Sequence, residues 1–318
     1  MRRTKIAVAV LAFAIAMVGP LLVEPATASA AQIDRIDELS PTRSAIFVES
    51  PSMGRIIQVQ VLHPAAGGAR PSYYLLDGLD PGVNQSTWTN ATDAEGFFSN
   101  KNVNVVLPVG GQASYYTDWQ QDDPTFGRYK WETFLTQELP PIIDAHYGNG
   151  VNAIGGLSMG GNAAFILAVR HPELYRAVAG YSSCPDTTLA MGAVMFSIAN
   201  RGGDPVNMWG GPGSPAWAEH DAALLADRLR GKTIYLSTGT GIPGPHEGEV
   251  KPQLAENIVL GGPVEVGVNS CVIAFEQRLR AMNIPAHIDY SPTGTHSWSY
   301  WQDTLHASWP AIGLAIGA

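Results

Sequence analysis

Residues 155–161 read GGLSMGG, and they contain the pattern Gly156-x-Ser158-x-Gly160. This pattern is typical of a nucleophile elbow, a sharp turn from a strand into a helix that holds a serine at its tip. Small neighbours let the backbone make the turn and let a substrate approach the hydroxyl. The alternative is a serine in an ordinary glycine-rich turn. The flanking sequence favours the elbow, because VNAIG before it has the pattern of a strand and MGGNAAFILAVR after it that of a helix.

Strand and helix patterns alternate along the rest of the chain. This alternation predicts an α/β protein with a mostly parallel central sheet and helices on both faces. Together with the elbow, it predicts the α/β-hydrolase fold, whose active site lies at the carboxyl ends of the strands. We predict strands at 56–61, 72–76, 103–108, 151–155, 177–181, 232–237 and 287–290, and helices at 130–139, 159–170, 217–229, 269–282 and from 298 onward.

The first thirty residues have a different character from the remainder. A basic start is followed by an apolar run from Ile6 to Val23 and by the small residues ATASA at 26–30. This order is typical of a cleaved signal peptide, and the alternative is a single membrane anchor. No later stretch of sequence reads as a membrane span, so we expect residues 31–318 to be exported as one catalytic domain. Residues 185–216 and 238–264 are rich in Gly and Pro and are predicted to be long loops.

The composition narrows the classes of partner. The 318 residues carry a formal net charge of −9 and no basic run, which argues against nucleic acid as a partner. No Cys/His cluster has zinc-ligand spacing, so we expect no metal. The two cysteines, Cys184 and Cys271, are predicted to form a disulfide in an exported chain, the alternative being two buried thiols.

A serine nucleophile needs a base, and the base needs an orienting acid. In this fold the order along the chain is Ser, acid, His. Of the eight histidines, His296 has the best position, on a loop after the last predicted strand and before the last helix. The acid is less determined, because four carboxylates lie between strand 232–237 and His296: Glu247, Glu249, Glu256 and Glu265. Glu265 has the best local context, since it stands between two valines and a carboxylate in apolar company needs a partner.

The oxyanion hole of this fold takes one backbone N–H from the residue after the nucleophile and one from a loop after an early strand. These positions are Met159 and, after the strand that ends in LLDGLD, Leu79.

Several motifs resemble the mycolyltransferases of the antigen 85 complex, which are α/β-hydrolase-fold enzymes related to S-formylglutathione hydrolases. The motifs are, in order, LLDGL, VVLPVGG with SYYTDW, KWETFLTQELP, GLSMGG, MWG and GTHSWSYW, from about Ser50 to the C-terminus. The resemblance implies Ser158, Glu265 and His296 as the triad and Leu79 and Met159 as oxyanion donors. It also implies that Asp77, Ser297 and Trp298 contact trehalose.

Three positions depart from that resemblance. Mycobacterial members have an arginine where this chain has Asp80, and a cysteine where it has Ser237. The Met-Gly-Gly after the serine is that of general esterases.

The implied activity is transfer of a mycoloyl group from trehalose monomycolate to a second trehalose mycolate or to cell-wall arabinan, in the cell envelope and without a cofactor or a protein partner. One alternative is a secreted carboxylesterase with water as its acceptor. The other is a non-catalytic wall-binding homologue, which an intact Ser/Glu/His set argues against.

Overall fold

The structure is a computed structural model that describes residues 30–248 and 254–318. The predicted signal peptide at 1–30, apart from Ala30, lies outside the described residues, as does Glu249. The predicted removal of residues 1–30 therefore stays a prediction.

The described chain folds around one nine-stranded sheet with the strand order β1-β2-β3-β5-β4-β6-β7-β8-β9. Strands β4 to β9 are all parallel to one another. Strands β1, β2 and β3 pair antiparallel with their neighbours in the sheet. The predicted mostly parallel sheet is confirmed. The strands are β1 Gln32–Ser40, β2 Arg43–Ser50, β3 Arg55–Leu62, β4 Arg70–Leu76, β5 Asn104–Pro108, β6 Gly148–Leu157, β7 Tyr175–Tyr181, β8 Thr233–Thr238 and β9 His287–Tyr290.

Helices cover both faces of this sheet, and their apolar sides form two buried clusters. One cluster joins the sheet to α3–α5 and α10, and the other joins it to α1, α2 and α11. The α-helices are α1 Thr87–Ala91, α2 Ala94–Phe98, α3 Trp131–Thr133, α4 Leu139–His146, α5 Met159–Arg170, α6 Met191–Ala199, α7 Val206–Trp209, α8 Ala216–Glu219, α9 Leu254–Glu256, α10 Gly262–Ala281 and α11 Trp298–Ile316. Short 3-10 turns are Ala226–Leu229 and Pro245–Glu247, and π turns are Phe134–Glu138 and Asn257–Gly261.

The helix predicted to stop at Pro140-Pro141 instead continues to His146. A π turn over Phe134–Glu138 precedes the prolines, and the Leu139 N–H bonds back to the carbonyl oxygen of Phe134. The two prolines therefore sit in the first turn of α4, where a missing N–H costs little.

The helix predicted over 217–229 is wrong, because α8 ends at Glu219. Asp221, which is fully buried, accepts hydrogen bonds from the backbone N–H of Leu224 at 2.9 Å and of Thr188 at 2.8 Å. A carboxylate that binds backbone N–H groups in this way favours a turn over a continued helix.

Two further elements differ from the prediction. The hairpin β1–β2 was not predicted, and the predicted loops at 185–216 and 238–264 contain short helices. Helix α10 begins at Gly262 rather than at 269, so Glu265 lies in its first turn. By length and composition alone, the helical segment Asn257–Ala281 could span a membrane, contrary to the sequence-based expectation. In the fold, α10 packs on the sheet through Val272, Phe275 and Leu279.

Candidate active site

Ser158 lies at the tip of a turn between β6 and α5, with φ +49° and ψ −119°. A left-handed φ at a residue other than glycine is strained and requires support from its surroundings. The glycines on either side supply the space. A Cβ on Gly156 would lie 2.5 Å from the carbonyl carbon of Gly160, and one on Gly160 would lie 2.3 Å from the carbonyl oxygen of Asp77. The geometry is that of a nucleophile elbow.

His296 lies on the loop between β9 and α11 and contacts both predicted partners. Its Nε2 is 2.8 Å from the Ser158 Oγ, and its Nδ1 is 2.8 Å from the Glu265 Oε2. The indole of Trp301 packs edge-on against the imidazole, with ring centroids 4.9 Å apart. The structure therefore brings together the three side chains that the sequence placed 138 and 31 residues apart.

Glu265 is almost completely buried, at 1% exposure. Burial acts to raise the pKa of Glu265, but the hydrogen bond and charge of His296 and further hydrogen bonds outweigh it and hold the pKa below its usual range. The further bonds all reach Oε1, from the Gly239 N–H at 2.7 Å, the Ser182 hydroxyl at 2.9 Å and the Thr238 hydroxyl at 3.1 Å.

Sequence reasoning missed these three partners of Glu265. Ser182 directly follows β7, Thr238 ends β8, and Gly239 follows it. Because the ends of parallel strands meet at one edge of the sheet, polar residues directly after β7 and β8 were the available signal.

The other described carboxylates that competed for the role of acid lie elsewhere. Glu256 is exposed on the short helix α9. Glu247 is buried and binds the Thr295 hydroxyl at 2.6 Å, the Gly244 N–H at 2.8 Å and the Tyr300 hydroxyl. Because Thr295 precedes His296, Glu247 ties the loop at 244–248 to the histidine loop.

The proposed oxyanion donors lie beside the serine. Met159 begins α5, and Leu79 follows β4 on a loop whose Gly78 approaches the elbow: a Cβ on Gly78 would lie 3.9 Å from the Ser158 Cβ. The Leu79 carbonyl accepts a hydrogen bond from the Ala113 N–H at 3.0 Å, which fixes this loop. Within the described residues the Leu79 N–H has no hydrogen-bond acceptor.

Asp77 lies beneath this loop rather than at its surface, with 1% of its area exposed. Its Oδ2 accepts hydrogen bonds from the Thr87 N–H at 3.0 Å and the Ser86 hydroxyl at 3.1 Å, and its Oδ1 has no partner within the described residues. Burial raises the pKa of Asp77 to about 7, although the hydrogen bonds from Thr87 and Ser86 oppose the shift. In this structure the carboxyl anchors the start of α1, and its contact with a sugar stays a prediction.

The two other predicted sugar contacts follow His296. Ser297 is buried, and its hydroxyl is 3.2 Å from that of Thr295. Trp298 is half-buried between Trp88 and Trp301, with ring centroids 5.4 and 5.2 Å away.

Asp80, the first departure from the antigen 85 pattern, pairs with Arg201. The Arg201 Nε lies 2.9 and 3.1 Å from the two carboxylate oxygens, and Gln112 Nε2 donates to Oδ1 at 3.0 Å. The hydrogen bond from Arg201 is the largest cause that holds the pKa of Asp80 below its usual range. The pair joins the loop after Leu79 to the segment after α6.

Cys184 and Cys271 form the predicted disulfide, with Cα atoms 5.5 Å apart. The bridge joins the segment after β7 to α10, the helix that carries Glu265.

Comparisons with known proteins agree with this fold. Residues 50–312 match the family model of a putative esterase. The S-formylglutathione hydrolase of Agrobacterium tumefaciens has the same fold, with a TM-score of 0.64 at 17% identity over 88% of this chain and 99% of that chain. The chain is thus an enzyme of the serine esterase and acyltransferase class with the α/β-hydrolase fold.

The relatives define the family more narrowly. The chain is 36% identical to the diacylglycerol acyltransferase/mycolyltransferase Ag85A of Mycobacterium bovis, over 85% of this chain and 80% of the relative. The structure of Mycobacterium tuberculosis MPT51 aligns with a TM-score of 0.71 at 29% identity, over 84% of this chain and 96% of that chain. The chain belongs to the antigen 85 family.

Proposed function

We propose that this enzyme transfers a mycoloyl group from trehalose monomycolate to a second trehalose mycolate or to cell-wall arabinan, through an acyl-enzyme on Ser158. The observation that carries the proposal is the chain of two hydrogen bonds from Ser158 through His296 to Glu265, each with a length of 2.8 Å. The naming of relatives such as Ag85A as mycolyltransferases supports the acyl group.

In the proposed first half-reaction, the Ser158 Oγ attacks the ester carbonyl while His296 Nε2 takes its proton. The Leu79 and Met159 N–H groups stabilise the negative charge on the carbonyl oxygen. The C–O bond to the sugar then breaks, His296 returns the proton to the leaving oxygen, and free trehalose departs.

In the second half-reaction, a hydroxyl of the acceptor attacks the acyl-enzyme. His296 removes its proton, the bond to Ser158 breaks, and the proton returns to Oγ. Glu265, ionised and buried, stabilises the imidazolium in both halves and fixes the tautomer of His296.

The acceptor distinguishes the two enzymatic hypotheses. An acyl-enzyme meets water at high concentration, so transfer requires that the sugar be bound and oriented. We assign this role to Trp298, with Ser297, beside His296. If no sugar is held there, the same triad makes the chain a carboxylesterase.

The test is incubation of the pure protein with a trehalose monoester, followed by mass spectrometry of the products. We expect trehalose diester and free trehalose, neither of which Ser158→Ala forms. Free fatty acid without diester, at every trehalose concentration up to tens of millimolar, would establish the carboxylesterase. Failure of a fluorophosphonate to label Ser158 would instead favour the non-catalytic homologue.

Export completes the proposal. The disulfide is consistent with an extracellular protein. N-terminal sequencing of the protein from culture medium should begin at residue 31, and a chain that begins at Met1 would show that the segment is retained.

A further inference from the structure

We infer that Glu247 is a positioning residue for the reaction, because it fixes the segment of backbone that carries His296. Glu247 ends the short turn Pro245–Glu247, and only 9% of its area is exposed. Its carboxylate binds the residue before the histidine, whereas the imidazole itself contacts Glu265 and Ser158. The inference rests on the proposed function only in that His296 is the base.

The two carboxylate oxygens of Glu247 have different partners. Oε1 accepts a hydrogen bond of 2.6 Å from the hydroxyl of Thr295, which is 1% exposed and directly precedes His296. Oε2 accepts hydrogen bonds from the Gly244 N–H at 2.8 Å and from the hydroxyl of Tyr300, in the first turn of α11. One side chain therefore joins its own turn, the histidine segment and the helix that follows it.

Glu247 holds these partners as an ionised group. Burial acts to raise its pKa, but the hydrogen bonds from Thr295, Tyr300 and the Gly244 N–H outweigh it and hold the pKa below its usual range. Hydrogen bonds to a charged acceptor are about twice as strong as those between neutral groups. The contact with Thr295 is therefore costly to break, since it would leave buried polar groups without partners.

The segment that carries His296 is irregular and depends on hydrogen bonds to neighbouring loops. Residues 291–297 link β9 to α11. Gly294, with φ +125°, exchanges two backbone hydrogen bonds with the loop after β8. Its N–H donates to the Ile242 carbonyl at 2.7 Å, and its carbonyl accepts from the Gly241 N–H at 2.9 Å. These bonds end two residues before the histidine, so the histidine needs further support.

Glu247 supplies that support at the adjacent residue. It binds the Thr295 hydroxyl, and the hydroxyl of Ser297 lies 3.2 Å from that of Thr295. Both neighbours of His296 are thus linked to one carboxylate, Thr295 directly and Ser297 through Thr295. The backbone on either side of the histidine is held by the same group.

Close packing keeps the turn against the histidine segment. A Cβ on Gly244 would lie 2.4 Å from the Thr293 Oγ1 and 2.7 Å from the Tyr300 hydroxyl oxygen, so this contact requires glycine. The turn therefore approaches the segment closely enough to present the Glu247 carboxylate to Thr295.

The geometry of the triad explains why this support affects the rate. His296 must face the Ser158 Oγ with one ring nitrogen and Glu265 with the other, and both contacts are 2.8 Å long. A displacement of about 1 Å can lower the rate of a reaction about a hundredfold. A histidine on a loosened segment would meet both distances only part of the time.

The experiment measures hydrolysis of a p-nitrophenyl ester, which needs the triad but no sugar acceptor. Glu247→Gln replaces the charge with an amide, and Thr295→Val removes the hydroxyl at nearly constant volume. Both should lower kcat by about tenfold to a hundredfold and leave KM unchanged, because neither residue binds the substrate. Thr295→Ser keeps the hydroxyl and should recover most of the wild-type rate. Glu256→Gln, the same chemical change at an exposed glutamate, is the matched control.

Two further variants test the contact itself. The double variant Glu247→Gln/Thr295→Val should be no slower than the slower single variant, because both changes remove the same hydrogen bond. Tyr300→Phe removes another bond of the same carboxylate but leaves Thr295 in contact, so it should lower kcat much less than Thr295→Val does.

Proton NMR reports the position of the histidine independently of the rate. The proton between His296 Nδ1 and Glu265 should give a strongly downfield signal in the wild type. We expect this signal to broaden in Glu247→Gln and Thr295→Val, although denaturant titration shows both variants to be folded. Should Glu247→Gln fail to fold, the comparison of Thr295→Val with Thr295→Ser decides the question in the same way.

A wild-type kcat in folded Glu247→Gln, or additive losses in the double variant, would overturn the inference. Equal losses in Tyr300→Phe and Thr295→Val would also overturn it, because the stability of the turn and not the position of Thr295 would then limit the rate. Ser158→Ala and His296→Gln keep the two ideas separate. Wild-type hydrolysis by both would refute the proposed function, whereas inactive triad variants beside a fully active Glu247→Gln would refute only this inference.

Discussion

Ser158 combines a chemical role with a backbone cost. A residue other than glycine at φ +49° is strained by about 1–3 kcal/mol, and the surrounding contacts hold it there. The Ser158 N–H, for example, donates to the Tyr181 carbonyl at 2.8 Å. The strain presents the hydroxyl to His296, so stability and activity make opposite demands on this position.

Two substitutions of Ser158 separate those demands. Ser158→Ala and Ser158→Gly should both lower ester hydrolysis by about 10⁴-fold or more, because the nucleophile is gone. The free energy of unfolding of Ser158→Gly should also be about 1 kcal/mol higher than that of Ser158→Ala, because glycine adopts a positive φ without strain. Chemical denaturation of the two variants measures the difference, and equal values would mean that the elbow is not strained.

Glu265 is expected to be the acid of the triad. Glu265→Gln should lower kcat by about 10³–10⁴-fold, since the neutral amide cannot stabilise the imidazolium. Glu256→Gln, at an exposed carboxylate close by in sequence, is the control and should keep full activity. Full activity of Glu265→Gln together with loss of activity in Glu256→Gln would instead identify Glu256 as the acid of the triad.

Asp77 should make the stability of the protein depend on pH. Its pKa in the folded state is about 7, against about 3.9 in an unfolded chain, so the folded state binds the proton more tightly. The stability that this group contributes is present below pH 4 and is lost as the pH rises to 7, about 4 kcal/mol in all. Asp77→Asn should remove this loss. The advantage of the variant in free energy of unfolding should therefore grow between pH 5 and pH 8, and a constant difference would refute the shift.

Asp80 and Arg201 connect two segments beside the oxyanion donor. The Asp80 side chain is about half exposed and that of Arg201 is partly buried, so loss of the pair should change the free energy of unfolding by about 1 kcal/mol. Asp80→Ala should nevertheless lower kcat severalfold, because the Leu79 N–H is less well positioned. The exchanged pair Asp80→Arg with Arg201→Asp should recover part of the loss, and an additive decrease in the double variant would show that the contact does not matter.

The disulfide should be a large contributor to the stability of helix α10. It closes a loop of 87 residues, which is worth roughly 4–5 kcal/mol in the chain-entropy model. Cys184→Ala/Cys271→Ala should lose about that much in a denaturant titration. Because the Cys184 N–H also bonds to Asn162 on α5 at 2.6 Å, we expect the α10 amides to exchange faster than those of α5. Uniform exchange would show that α10 stays in place without the bridge.

The sequence predicted an element well where its local pattern agreed with what the whole fold requires at that position. The elbow, the parallel strands and His296 follow from such patterns. The wrong end of the helix at 130–139 and the wrong helix at 217–229 had causes that lie outside a local window. They are a π turn that accommodates two prolines, and the Asp221 carboxylate that binds Thr188, 33 residues away. The partners of Glu265 were missed for the same reason, since Ser182 and Gly239 meet it only through the order of the sheet.

The sheet explains why residues so distant in sequence form one site. β4, β6, β7, β8 and β9 run parallel and end at one edge, and the chain leaves each of them with a group that the site needs. The antiparallel strands β1 to β3 extend the opposite side of the sheet.

The bridge between Cys184 and Cys271 affects the stage of maturation at which the enzyme becomes fully active. Such bonds form and persist mainly in oxidising compartments, so in the reducing cytoplasm α10, which carries Glu265, would lack its covalent link to Cys184. The order of events in maturation would then be translocation, oxidation and only afterwards full catalytic competence. If the enzyme transfers acyl groups to sugars and is exported, as proposed, it would in this way stay weakly active inside the cell and gain its full rate after export.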